Sequence, residues 1–176
     1  MREDGFMWFR NRREDQYIVD TSRLTRELEV EACRAALQVV RPDVDRFQCD
    51  VPWDNRGSWP REVVDAANAL APLPEDFTPK QTYQLTGWVT GFTEETWDAF
   101  VTFAPFSFGA NAWTADMQWW IDVNDEGTSV GVRVSPDRLA GLQRSVRGAD
   151  VVAAADWSRL RQEEWRVRQN RKHRGS

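Results

Sequence analysis

Apolar residues in the first part of the chain recur at helical spacing. From about 22 to 40, Leu24, Leu28, Ala32, Ala35 and Val39 step along one face, while Arg23, Arg26, Glu27, Glu29 and Arg34 occupy the rest. Thr21 or Ser22 offers an N-cap and Pro42 a stop, so the pattern predicts a helix over about 22–40. Residues 41–59 keep no period and are expected to form an irregular loop with at most a short strand. A second helix is expected over about 60–70, with Pro60 in its first turn and Val63, Val64, Ala67 and Leu70 as its apolar stripe. Pro72, Pro74 and Pro79 then break regular structure.

Beyond them the period shifts from 3.6 to 2. Four segments, about 82–92, 97–108, 114–124 and 128–135, read as strands of an antiparallel meander. The second segment admits another reading, because Thr93-Glu94-Glu95 suits the start of a short helix bearing Trp97, Phe100, Val101 and Ala104. Its Phe and Thr content and Pro105 favour the strand. The best-defined hairpin turns at Asn124–Gly127, with Met117, Trp119, Ile121 and Val123 on one face and Gln118, Trp120, Asp122 and Asn124 on the other. Val130, Val132 and Val134 return on the first face, and Gly127 suits a left-handed turn position. That register sets Trp120 outside, opposite Gly131, where its ring would cover the glycine. Pro136 opens a helix to about 146, and a final helix is expected over about 149–168. The expected fold is α+β: one domain over 1–168, a roughly four-stranded antiparallel sheet (about 82–135) packed with helices from both ends, and a basic tail over 169–176.

A chain of 176 residues is long enough to bury a core without staples. Ten Trp and nine Phe supply much of its apolar mass. The net charge of −5 hides an asymmetry: residues 1–61 are nearly balanced, 62–132 carry one lysine against 11 acidic groups, and 133–176 are basic. Such a distribution speaks to partners and steering. Two cysteines, no signal-peptide core and no long apolar run lead to an expectation of a reducing cytoplasm and no membrane partner.

Chemistry is narrowed mainly by exclusion. His173 is the only histidine, so Ser-His-Asp and Cys-His arrangements and His-rich zinc sites are not expected. Neither phosphate-binding glycine motif occurs, and no cofactor is expected. Asp122-x-Asn124-x-Glu126-Gly127 matches the front of a calcium loop, but Arg133 stands where the bidentate glutamate belongs, so no metal is expected. Carboxylates remain, in two clusters: Glu94, Glu95 and Asp98, and Asp122, Asp125 and Glu126. With Trp120, these are the candidate partner-binding residues. Arg166, Arg168, Arg171, Lys172 and Arg174 could touch nucleic acid or a neighbouring subunit, although a solvated helix end accounts for them better.

The leading expectation is a non-enzymatic protein-binding module with an acidic, aromatic-rich surface suited to a basic partner, in the manner of toxin-neutralising immunity proteins. That comparison is one of character, since no motif ties the chain to a family. A virion or other assembly component using its Arg-rich termini is the alternative, and a carboxylate-based hydrolase comes third.

Overall fold

The computed structural model describes residues 16–72 and 83–163. It is an α+β fold built on one antiparallel sheet of eight strands. These are β1 (Gln16–Asp20), β2 (Arg46–Pro52), β3 (Tyr83–Leu85), β4 (Val89–Thr90), β5 (Gly109–Trp113), β6 (Trp119–Asn124), β7 (Ser129–Arg133) and β8 (Asp150–Ala153). The order is β3-β2-β5-β6-β7-β1-β8, with β4 also pairing β2. The helices are α1 (Arg26–Val40), α2 (Arg61–Leu70), α3 (Glu94–Phe103), α4 (Pro136–Ser145) and α5, helical over 154–163. The basic tail and the five cationic residues singled out between Arg166 and Arg174 lie outside the described residues.

β6 and β7 form the expected hairpin, and β3 and β4 lie within the strand expected over about 82–92, but β5 occupies the link between two expected strands, and β1, β2 and β8 come from outside the expected sheet. β1 enters between β7 and β8, pairing Val19 with Val130 on one side and with Val151 on the other. β2 occupies the stretch expected as loop, and alternate burial of Phe47, Cys49 and Val51 shows why it is a strand. β8 replaces the start of the expected final helix, where Val151 and Val152 are β-branched and α5 begins only after them.

The strand expected over 97–108 is a helix. Thr93 caps α3 by accepting from the Thr96 amide (3.3 Å), and Glu94 and Glu95 complement its N-terminal dipole. Trp97, Phe100, Val101 and Phe103 are buried at helical spacing, and Phe100 stacks on Phe47 with centroids 4.2 Å apart. Packing thus overrides the β-preference of the aromatics. α1 also starts later than expected, capped at Thr25. Thr21 is fully buried, and its hydroxyl reaches the Gly127 (3.1 Å) and Thr128 (2.8 Å) carbonyls, tying the end of β1 to the β6–β7 turn.

The core lies on one side of the sheet. Val19, Phe47, Cys49, Val51, Ala110, Ala112, Ile121, Val123, Val130 and Val132 point there and meet the buried faces of the helices, including Ala32, Cys33, Ala36, Leu37 and Val40 of α1 and Leu142 of α4. Burial pushes the Cys33 thiol up to about 12 and raises that of Cys49 as well. The opposite face carries Gln48, Asn111, Asp122, Gly131 and Ile18 in paired register.

Candidate functional site

The β6–β7 turn starts one residue later than expected, and its register differs by two residues. Val123 pairs with Val130 and Asp122 faces Gly131, so the loop spans 125–128. Gly127 takes the expected left-handed conformation (φ 84°), and Asp125 (φ 47°) and Glu126 (φ 59°) take it too. A non-glycine residue there costs roughly 1–2 kcal/mol, so neighbouring contacts must hold the pair in place. The Asp125 and Glu126 amides donate to the Phe108 (3.0 Å) and Ser107 (2.9 Å) carbonyls. The Arg26 guanidinium donates to the Glu126 carbonyl and to the Pro105 carbonyl (2.7 Å), and lies over the Phe106 ring.

This turn places Glu126 in a cleft of about 470 Å³ between α1, the entry to α2 and the 104–106 turn. Arg26, Val30 and Arg34 recur every fourth residue along one row of α1, and Glu27 and Glu31 lie one turn apart beside them. Ser58, Trp59, Pro60 and Glu62 form the facing wall. Trp59 is buried against Phe103 and Trp53, and Trp53 donates to Gln84 Oε1 (3.2 Å), so these tryptophans pin the loop.

Four glutamates and two arginines line the cleft, and the arginines are committed inward. Arg26 is held as above, and Arg34 donates to the Thr102 carbonyl (3.0 Å), while its buried Nε has no acceptor. No ion pair engages Glu27, Glu31, Glu62 or Glu126 among the described residues. Asn55 donates to the Glu126 carboxylate (3.3 Å), and Glu27's own backbone amide and then the Thr25 side chain lower the Glu27 pKa.

The other candidate residues do not converge on this cleft. Asp125 borders a separate depression with Asp20, Asn124, Trp157 and Arg161. Asp122 is half-buried on the open sheet face, where desolvation raises its pKa and Asn124 donates to it (2.6 Å). Glu94 pairs with Arg41, which also lies over Phe92 and Trp97. Glu94, Glu95 and Asp98 therefore sit beside the C-terminal end of α1, whereas Glu126 sits beside its first turn, about 22 Å away along a 15-residue helix. No group of three metal-ligating side chains occurs among the described residues.

The expected placement of Trp120 is overturned. A bulge lies between the pairs Ala112–Ile121 and Trp113–Trp119, so one β6 residue is left without a partner and the alternation reverses. Trp119 therefore faces outward, and its ring is what a Cβ on Gly131 would meet (3.0 Å). Trp120 packs against the core with its indole nitrogen buried and unpartnered. The aromatic cover of glycine exists, but the neighbouring tryptophan supplies it.

Sequence reasoning also missed Asp50, the one buried carboxylate among the described residues. It accepts from the Ser107 hydroxyl, the Gly109 amide (3.1 Å) and the Tyr83 hydroxyl (2.8 Å), fastening β3 and the start of β5 to β2. Desolvation and the neighbouring Asp50 carboxylate push the Tyr83 phenol up to about 12. Alternation sets Asp50 on the face opposite Cys49 and Val51, so no local pattern marks it as buried. No family model matches the chain, no curated protein is detectably similar to it, and no solved structure shares detectable similarity.

Proposed function

We propose that the protein is a binding module that captures a basic protein partner in the cleft around Glu126. The observation that carries this reading is the unpaired charge of the cleft. Among the described residues Glu27 and Glu31 on one wall, Glu62 on the other and Glu126 between them form no ion pair, while the two arginines of the cleft are held elsewhere, Arg26 by backbone carbonyls and Glu29 and Arg34 by the Thr102 carbonyl. Like charges held close together raise the local potential, and a cationic side chain entering the cleft relieves it. Trp59 and Phe106 give the walls a rigid aromatic part. Electrostatics of this kind speeds association and selects partners, and salt weakens it.

The test is capture from cell extract with the wild type and with a Glu31→Gln/Glu62→Gln/Glu126→Gln variant, followed by reconstitution with the purified partner. The expected result is a basic protein retained by the wild type alone, with Kd rising at least tenfold in the variant and with added salt. A set of captured proteins identical for the two chains would sink the reading.

A further inference from the structure

On the side of the sheet away from the helical core, three tryptophans form a strip. Trp113 pairs with Arg46 on one side and with Trp119 on the other, and Trp88 from the β3–β4 link lies against Trp113 with centroids 4.6 Å apart. Trp88 is 52% exposed, and Trp113 and Trp119 are half-buried. The next row across the strands is polar: Gln48 pairs with Asn111, and Asn111 with Asp122. The amides of Gln48 and Asn111 are half-buried and make no side-chain hydrogen bond among the described residues.

We propose that this face is a carbohydrate-binding platform, with Trp88, Trp113 and Trp119 stacking on the C–H faces of a neutral glycan and Gln48, Asn111 and Asp122 bonding its hydroxyls. The chemistry on the page selects this occupant. An apolar surface would strip water from the amides and return no partner. A nucleic acid would need cations for its phosphates, and among the described residues the arginines beside the strip are engaged, Arg46 by Asp45 (2.7 Å) and Arg133 by Gln118 (3.3 Å). A pyranose offers an apolar face and a rim of hydroxyls at once, matching a tryptophan row beside an amide row. The platform binds without cleaving. Asp50 and Asp20, carboxylates on other strands of this face, are each two strands and two residues from Asp122, about 12 Å by sheet spacing. That exceeds the separations glycosidases use.

The site is independent of the acidic cleft, on the other side of the sheet, and can be tested separately. Full-length protein is run in native gels containing hydroxyethyl cellulose, xylan, galactomannan or soluble starch, and the matching oligosaccharide is titrated by calorimetry. The expected result is retardation by at least one polysaccharide, with affinity at least about tenfold weaker in Trp88→Ala and in Asn111→Ala. Both variants keep the wild-type melting temperature, since neither side chain holds the core, and Glu31→Gln/Glu62→Gln binds as the wild type does. Three outcomes overturn the proposal: no retardation in any of the four gels, equal retardation of wild type and both variants, or a Trp88-dependent binding of oligo(dT) or self-association in place of polysaccharide binding.

Discussion

Replacing Glu126 by glycine and by alanine separates the cost of its backbone from the worth of its side chain. Glu126 sits at φ 59°, ψ 35°, a conformation that costs a residue with a Cβ roughly 1–2 kcal/mol and glycine almost nothing. Glycine gives back about 0.5–1 kcal/mol through the extra freedom of its unfolded chain. Both substitutions delete the Asn55 contact and the cleft carboxylate equally, so these losses cancel in the comparison. Glu126→Gly should therefore be more stable than Glu126→Ala by about 0.5–1 kcal/mol, or roughly 1–4 °C in melting temperature. Urea unfolding followed by tryptophan fluorescence measures the difference. An internal control is Ala69→Gly on the exposed face of α2, which should lose about 1 kcal/mol. If glycine is the less stable residue at 126, the turn is not strained as described. If the order holds while both variants bind a basic partner less well, then a left-handed glutamate is kept for its carboxylate at a cost in stability.

Three further outcomes follow from other parts of the fold. Asp50→Ala should cost about 3 kcal/mol in urea unfolding, because the Ser107 hydroxyl and Gly109 amide lose their acceptor in a buried place; a loss below about 1 kcal/mol would contradict that role. Cys33 and Cys49 should react with a thiol reagent only after unfolding, as both are fully buried with raised pKa; labelling of the native protein at pH 8 would show otherwise. Asp122 has a folded pKa raised by desolvation, so the folded state holds its proton more tightly than the unfolded chain does. Its favourable contribution is fully present below the unfolded value near about 4 and is lost as pH rises through the folded value. Asp122→Asn should accordingly be more stable than wild type at pH 7, with the gain vanishing below about pH 4, and a gain that persists at pH 3 would disprove the cause.

The fold class, the β6–β7 hairpin and the left-handed Gly127 were legible because each rests on local alternation, capping and turn chemistry. α2 and α4 fall where Pro60 and Pro136 place them. The rest depended on distant partners. β1 and β8 are short, and only the pairing of Gln16–Asp20 with β7 on one side and with Asp150–Ala153 on the other makes strands of them. α3 has strand-like composition, and its helical state is decided by the cap at Thr93 and the rings of Phe47 and Phe92 around it. The Trp119–Trp120 exchange hangs on one bulge, which no alternation rule contains. Of the candidate site, Glu126 was visible as a turn carboxylate, but its cleft joins residues from 26 to 126, and nothing in the linear pattern brings Glu31, Glu62 and Glu126 together.

The most direct test of the cleft as a cation-recognition site is an amide NMR titration of the folded protein with a hexa-arginine peptide. Shifts concentrated at Glu27–Arg34, Ser58–Glu62, Phe106 and Glu126, abolished by Glu31→Gln/Glu62→Gln/Glu126→Gln and by 0.5 M salt, are the predicted result. Shifts centred on Glu94–Asp98, or the same shifts in the variant, would contradict the account.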